Sequence, residues 1–97
     1  MLDLGSRQTI RIKSSLSQHA KARSQQRSIP KAVIDALADF GECSHDGRGG
    51  QRYSFTKQSW RAFIAYYGTE AKHFEKYRSA YIVVANDGIV VTTGWRH

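Results

Sequence analysis

Residues 81–95 read YIVVANDGIVVTTGW, and this stretch decides the fold. Two runs rich in β-branched residues, 81–85 and 89–93, have the composition of β-strands. The polar link between them includes Asp87 and Gly88, a pair that favours the type I′ turn whose twist matches that of paired strands. The stretch therefore predicts a β-hairpin.

The same turn predicts which residues of the hairpin face each other. With Asp-Gly as a two-residue loop, Val83 pairs with Thr92, and Tyr81 pairs with Gly94 on the same face. The opposite face then carries mostly apolar side chains: Ile82, Val84, Ile89, Val91, Thr93 and Trp95. Because both faces hold apolar residues, we expect this pair of strands to lie in the centre of a sheet.

Two helices are predicted well ahead of the hairpin. Ser15 or Ser17 can cap the first, which runs to about Arg27, because a serine oxygen accepts a hydrogen bond from a first-turn amide. Pro30 suits the first turn of the second helix, and we expect Gly41 to end that helix in the left-handed conformation. The apolar residues of the second helix recur with helical spacing and predict core positions: Val33, Ile34, Ala36, Leu37 and Phe40.

The middle of the chain predicts two further strands and a third helix. Residues 42–44 and 51–55 have strand character on either side of a glycine-rich loop, and Thr56 is placed to cap a helix that ends at Gly68. That helix carries one apolar stripe: Trp60, Phe63, Ile64 and Tyr67. Residues 69–78 predict one or two more helical turns. The order of elements predicts an α+β domain, in which two N-terminal helices and a third helix pack on an antiparallel sheet of about four strands.

The composition bounds the class of protein. Ninety-seven residues predict one domain, 1–97, with a loosely ordered arm at 1–14. Fifteen Lys and Arg against eight Asp and Glu give a net charge of +7, which favours a nucleic acid as partner over a merely solubilising surface. Cys43 is the only cysteine, and no apolar run has the length of a signal peptide or a membrane span. We therefore expect a soluble, cytoplasmic protein with no disulfide, no structural metal and no cofactor.

Residues 19–30, HAKARSQQRSIP, carry the main functional signal. At about 100° per residue, His19, Arg23 and Arg27 share the side of the first helix that holds its apolar residues. An ordinary amphipathic helix keeps its charges away from its apolar stripe. These side chains are therefore expected to point toward the body of the domain or along a groove beside it.

The residue types suit metal-independent cleavage of RNA. A histidine side chain suits proton transfer because it titrates near neutral pH, and a guanidinium suits phosphate because it can hold two oxygens at once. Thr92, Gly94 and Arg96 alternate along one face of the predicted last strand, and a groove forms if that face receives the first helix. The candidate groups for proton transfer and phosphate binding are His19, Arg23, Arg27, Arg52 and Arg96.

Several of these candidates also have an ordinary structural interpretation. A single histidine on a helix is more often a hydrogen-bonded structural residue than a catalyst, and His45 and His73 are both expected at the surface. Arg23 and Arg27 can instead form ion pairs with carboxylates of the second helix or the residues after it: Asp35, Asp39 or Glu42.

Four segments resemble a family of small bacterial domains of unknown function: HAKARSQQRSIP at 19–30, FGE at 40–42, HDGRGG at 45–50 and NDGIVVTTGWR at 86–96. Members of that family read roughly HARxRxxQRxIP, GxxxHDGRG and DGTVxTVGHR, and the match spans about residues 16–96. Such domains are similar in layout to the RelE-like members of the barnase, EndoU, colicin and RelE superfold. Many members of that superfold are ribonuclease toxins.

The resemblance implies an endoribonuclease of a toxin–antitoxin system, with free or ribosome-bound RNA as substrate and an antitoxin protein as partner. Together with the chemistry above, it marks as catalytic His19, Arg23, Thr92 and Arg96, and as nucleic-acid-binding Arg27, Arg52 and Gly94. Trp95 stands where the family has a histidine, and the sequence ends at His97 where the family continues. A weakened enzyme, a nucleic-acid-binding module without catalysis and a protein-interaction domain with a basic docking face are therefore the alternatives.

Overall fold

The computed structural model describes residues 15–45, 47 and 49–96. The predicted arm at 1–14 and the terminal His97 lie outside the described residues. The elements follow in the order α1 (Gln18–Gln26), α2 (Lys31–Phe40), β1 (Glu42–His45), β2 (Gln51–Ser54), α3 (Lys57–Tyr67), a 3₁₀ helix (Gly68–Tyr77), β3 (Ala80–Val84) and β4 (Val90–Trp95). The predicted α+β class, with two N-terminal helices, a four-stranded antiparallel sheet and a third helix, is confirmed.

The strands form one antiparallel sheet in the order β1-β2-β3-β4. Among the described strands β4 is therefore the last of this sheet, so in this part of the chain the hairpin does not have the central position that was predicted. The outer side of β4 is nevertheless covered. Leu16 forms a parallel bridge with Val90, the Ser17 amide donates to the Val90 carbonyl at 2.9 Å, and α1 packs along the strand. A helix thus covers the apolar edge strand, where a further strand was expected.

The tip of the hairpin differs from the predicted two-residue turn. The Gly88 amide donates to the Ala85 carbonyl at 2.9 Å, and the Ala85 amide donates to the Ile89 carbonyl at 2.9 Å, so residues 86–88 form a three-residue loop. Within this loop only Gly88 has a positive φ, of 88°. A type I′ turn is excluded because it needs a positive φ at both central residues.

A β-bulge at Val91 restores the predicted register farther along the hairpin. Val84 pairs with Val90, whereas Val83 pairs with Thr92, so Val91 is an extra residue on β4. The predicted pair of Val83 and Thr92 is confirmed, as is the predicted pair beyond it. Val91 leaves the core face on which it was predicted, and Val90 is the residue that is fully buried there.

Both ends of α1 are closed by local hydrogen bonds. Ser17 is the N-cap, and its hydroxyl oxygen accepts a first-turn amide at 3.1 Å. At the other end Ser28 adopts a left-handed φ of 55°. The Ile29 amide then donates to the Ser24 carbonyl at 2.9 Å, and the Ser28 amide to the Gln25 carbonyl at 3.3 Å, which is a Schellman motif. This motif fixes the direction in which the chain leaves α1.

The junction between α2 and β1 depends on Gly41 for a reason other than the predicted one. Its φ is −63°, so the expected left-handed conformation is wrong. A Cβ at this position would lie 2.5 Å from the Leu37 carbonyl oxygen and 3.2 Å from Tyr53 Cβ. Glycine is required here because α2 and β2 approach too closely for a side chain.

One face of the sheet is covered by helices and forms the core. α2 packs against β2 and β3, and α3 packs against α2. The largest fully buried side chains are Ile29, Val33, Ile34, Leu37, Phe63, Ile82, Val84, Val90 and Thr93. Trp60 and Phe63 of α3 are buried as predicted, but Ile64 and Tyr67 are 41% and 39% exposed, because only part of the predicted apolar stripe faces inward.

Candidate functional site

The face of the sheet that is turned away from the core forms an open groove. Strand alternation and pairing put Arg52, Tyr81, Val83 and Thr92 on this face, opposite core residues such as Ile82. The groove has a volume of about 600 Å³, within the range of ligand-binding clefts. Its lining comes from α1 and from all four strands: His19, Ser44, His45, Arg52, Tyr81, Val83, Val91 and Thr92.

The bulge in β4 shapes the edge of this groove. It places the consecutive residues Val91 and Thr92 together in the lining, where a regular strand would turn one of them into the core. The Ser17 hydroxyl donates to the Val91 carbonyl at 3.3 Å and so holds the start of α1 beside the bulge. His19 lies two residues after Ser17, in the first turn of α1, and borders the groove.

Tyr81 and Gly94 form a close contact on the groove face. They pair across β3 and β4, and the Arg52 guanidinium carbon lies 4.0 Å from the centre of the Tyr81 ring, a cation–π contact. A Cβ at Gly94 would lie 2.9 Å from Tyr81 Oη and 2.7 Å from Arg27 Nη1. Glycine at this position therefore lets an aromatic ring and a guanidinium both approach the backbone of β4.

Two hydrogen bonds hold the end of α1 against β4. Arg27 Nη1 donates to the Thr93 carbonyl at 3.1 Å, and Trp95 Nε1 donates to the Arg27 carbonyl at 3.1 Å. The Trp95 indole also stacks with Tyr77, with ring centres 6.0 Å apart. Trp95, at the position where the resembled family has a histidine, therefore positions the backbone of Arg27 and does not line the groove.

His19 and Arg23 contact each other on α1. Arg23 Nε donates to His19 Nε2 at 3.3 Å, and Arg23 Nη1 donates to Gln26 Oε1 at 3.2 Å. Because Nε2 accepts this hydrogen bond, the contact requires the neutral imidazole. Arg23 thus orients an imidazole that is exposed to solvent and borders the groove.

No carboxylate neutralises the cations of the groove within the described residues. The ion pairs among the described residues are Lys31 with Asp35 and Arg78 with Glu75, and neither involves a cation of the groove. The alternative in which Arg23 and Arg27 pair with acidic residues of α2 is therefore not what the structure shows. Arg52 in the lining, with Arg23 and Arg27 beside it, therefore gives the groove a positive charge that attracts anions.

Arg96 lies away from the groove, although it was predicted as a site residue. Its Nη2 donates to the Phe55 carbonyl at 2.9 Å and to the Arg78 carbonyl at 3.2 Å. These carbonyls belong to the connections that precede α3 and β3. Arg96 therefore ties the end of β4 to two loops. The other predicted site residues lie in the groove or contact its lining: His19, Arg23, Arg27, Arg52, Thr92 and Gly94.

The sequence interpretation did not mark Tyr81 or His45, whose side chains are part of the groove lining. Tyr81 had a usable signal, since the predicted register already placed it opposite Gly94, on the same face as Thr92. His45 was expected only as a surface residue. It is exposed, but it also borders the groove, because the hairpin of β1 and β2 brings the end of β1 to the same face. No periodic pattern in the sequence marks that position.

The described residues offer neither a metal site nor a membrane span. Within 15–45, 47 and 49–96, no three residues among His, Cys, Asp and Glu lie together so as to hold a metal ion. None of the helices in the same part of the chain is long and apolar enough to cross a membrane.

Comparison of the chain with protein-family models, with curated proteins and with solved structures found no match in any of the three. Function is therefore inferred from the groove and from the sequence motifs that build it. The motif at 19–30 supplies α1, and the motif at 86–96 supplies β4. These two elements pack against each other along one side of the groove.

Proposed function

We propose that this domain binds RNA in the groove and cleaves it without a metal ion, as an endoribonuclease of toxin type. The observation that carries the proposal is the grouping of His19, His45 and Arg52 in a groove whose described lining contains no carboxylate. A phosphodiester chain is attracted to Arg52 and to the neighbouring Arg23 and Arg27, and the net charge of +7 strengthens the attraction.

The proposed reaction is a transesterification at a ribose. His19 takes the proton of a 2′-hydroxyl, the 2′-oxygen attacks the adjacent phosphorus, and the bond from phosphorus to the 5′-oxygen breaks. The leaving 5′-oxygen takes a proton from the Tyr81 hydroxyl, which forms no hydrogen bond with the described residues. The products are a 2′,3′-cyclic phosphate and a 5′-hydroxyl.

The arginines have separate tasks in this scheme. Arg27 and Arg52 both lie beside Tyr81 and are placed to stabilise the added negative charge of the phosphorane. Arg23 holds His19 Nε2 in the absence of RNA. When a phosphate draws Arg23 away, the Nε2 lone pair becomes free to accept the proton.

A cleavage assay in EDTA tests the proposal. We expect a labelled single-stranded RNA to give cyclic-phosphate products, and an RNA with 2′-deoxyribose at the cleaved position to stay intact. His19→Ala is expected to lower the rate by about 10²–10⁴-fold, the usual contribution of a general base. His73→Ala is the matched control, because His73 is an exposed histidine of the 3₁₀ helix. Equal rates for the two variants, or intact RNA with the wild type, would contradict the proposal.

RNA binding without cleavage is the second candidate function. Two groups expected to serve catalysis are engaged elsewhere: Nε2 of His19 accepts from Arg23, and Arg96 is bonded to two carbonyls. Binding alone predicts that affinity for RNA falls steeply with salt concentration while the RNA stays intact. The same labelled RNA, followed by fluorescence anisotropy from low to high salt, distinguishes this function from cleavage.

The toxin role and the RelE-like layout are proposed from the motif resemblance, and the observed order of helices and strands is compatible with that layout. The role predicts that expression of the wild type arrests bacterial growth and that His19→Ala relieves the arrest. It further predicts that an antitoxin encoded beside this chain co-purifies with it. Cleavage of naked RNA, compared with cleavage in a translation extract, tests whether the ribosome is needed. Co-purification without any RNA binding would instead favour the protein-interaction domain.

A further inference from the structure

We propose that the Arg52 guanidinium is a stacking platform for an unpaired nucleobase, so that the groove selects single-stranded RNA. The inference rests on the proposed RNA-binding function and adds a base subsite to it. In this subsite a base lies on the side of Arg52 that faces away from Tyr81.

The Tyr81 ring supports Arg52 from one side. The guanidinium carbon lies 4.0 Å from the ring centre, so this side of the cation is in van der Waals contact with the ring. The ring itself is held close to β4, because Tyr81 Oη and its ring carbon Cζ lie 2.9 and 3.1 Å from the point where a Cβ of Gly94 would be. Arg52 therefore lies over the Tyr81 ring, which itself packs against the backbone of β4, and does not extend into solvent.

Arg52 differs from the other arginines near the groove in what holds it. Arg27 donates to a carbonyl, and Arg23 donates to a histidine and a glutamine. The Arg52 guanidinium forms neither a hydrogen bond nor an ion pair with the described residues, and the ring contact is what positions it. Its donors and its second side thus remain available to a ligand in the groove that it lines.

A nucleobase fits this site better than a phosphate alone. A guanidinium is planar and weakly hydrated, and it stacks on π-systems as readily as it binds oxygen anions. RNA-binding proteins use both aromatic rings and guanidinium planes to stack splayed bases. An unpaired base can stack on the free side of this guanidinium, so that tyrosine, guanidinium and base form one stack. A base inside a duplex is stacked between its neighbours and cannot expose its face to Arg52. Unpaired purines, which have the larger face, are the ligands expected to bind best.

Arg52→Lys is the decisive variant, because it keeps the charge and removes the planar group. A stacked base contributes about 1–3 kcal/mol. We therefore expect Arg52→Lys to weaken binding of a purine-rich single strand about tenfold, and to leave binding of a duplex of the same length nearly unchanged. A 2-aminopurine in the single strand is expected to lose its quenching on binding to this variant. Arg61→Lys, at an exposed arginine of α3, is the matched control and should bind as the wild type does.

Two further measurements separate stacking from charge. Tyr81→Leu removes the backing ring and should weaken single-strand binding as Arg52→Lys does, whereas Arg52→Ala should also lower the salt slope by about one. Folding of each variant is checked by its thermal transition. Wild-type affinity for both strands in Arg52→Lys, with salt-dependent RNA binding intact, would overturn the stacking platform and leave RNA binding standing. Absence of any RNA binding by the wild type would overturn both.

Discussion

The two faces of the sheet treat their polar groups in opposite ways. On the core face Thr93 is fully buried, and its hydroxyl donates to the Tyr81 carbonyl at 2.8 Å. On the groove face, as far as the described residues show, Arg52 has only an aromatic ring as partner and the Tyr81 hydroxyl has no hydrogen bond. Buried polar groups that serve the fold are satisfied by it. The core face thus uses its polar group for the fold, whereas the described residues of the groove face leave the donors of Arg52 and Tyr81 unused.

Adjacent residues of one strand give the largest expected contrast between the faces. Ile82 is fully buried in the core, and its neighbour Val83 is 9% exposed on the groove face. Ile82→Ala is expected to cost about 2–5 kcal/mol of unfolding free energy, because it leaves a cavity among packed side chains. Val83→Ala removes two methyl groups at about 0.8 kcal/mol each and should cost about 1.5 kcal/mol. Urea unfolding of both variants measures the difference, and equal losses would show that the faces do not differ in this way.

Gly94→Ala should damage the groove face more than the fold. The added Cβ overlaps the positions of both Tyr81 Oη and Arg27 Nη1, so both side chains must move. Overpacking of this kind costs about 1–3 kcal/mol of stability. RNA affinity should also fall, because the Arg27 guanidinium is displaced from its place beside the groove.

A double-mutant cycle with Arg27→Ala sharpens this test. Removal of the Arg27 side chain clears the 2.7 Å overlap but leaves the 2.9 Å overlap with Tyr81. The stability losses of the two single variants should therefore not add. Strict additivity would mean that Arg27 does not occupy the space above Gly94.

The sequence predicted the core face more completely than the groove face, and particular residues show why. Hairpin, helix caps and the burial of Leu37 and Phe63 follow from local propensity and periodicity. The predicted pairing of Tyr81 with Gly94 is correct although the loop type on which it was based is wrong. The three-residue loop shifts the register by one residue, and the bulge at Val91 shifts it back. A bulge has no periodic signature, so its effect on the groove edge was not predictable.

Long-range contacts explain the remaining errors. Gly41 is required by the distance between α2 and β2, which no local pattern contains. Arg96 looked like a phosphate ligand by residue type, but its guanidinium reaches carbonyls 41 and 18 positions away in the chain. A cation near the end of a strand is ambiguous until the neighbouring loops are placed. Candidate groove residues are therefore best separated from structural ones by whether the fold already uses their donors.

Thr93 and Thr92 provide a chemically matched test of the same contrast. Thr93→Val removes a buried hydroxyl that donates at 2.8 Å, and a net loss of about 1 kcal/mol in unfolding free energy is expected. Thr92→Val changes a half-buried groove residue and should leave stability within about 0.5 kcal/mol of the wild type. Its RNA affinity is expected to fall while that of Thr93→Val is kept. The opposite assignment, with stability lost only in Thr92→Val, would reverse the roles of the two faces.

The smallest expected effect concerns the backbone that holds α1 beside the groove. Ser28 has a φ of 55°, and it is the only residue other than glycine with a positive φ in the described part of the chain. The left-handed conformation costs an L-residue roughly 1–2 kcal/mol, and glycine avoids this cost but loses about 0.5–1 kcal/mol more conformational entropy. Ser28→Gly should therefore stabilise the domain by about 0.5–1 kcal/mol, while Ser28→Ala, which keeps the strain, should not. Because the Schellman hydrogen bonds involve only backbone groups, RNA affinity is expected to be unchanged in both variants. Thermal unfolding and anisotropy titrations on the same samples measure the two effects, and a fall in affinity for Ser28→Gly would show that strain at the end of α1 helps to shape the groove.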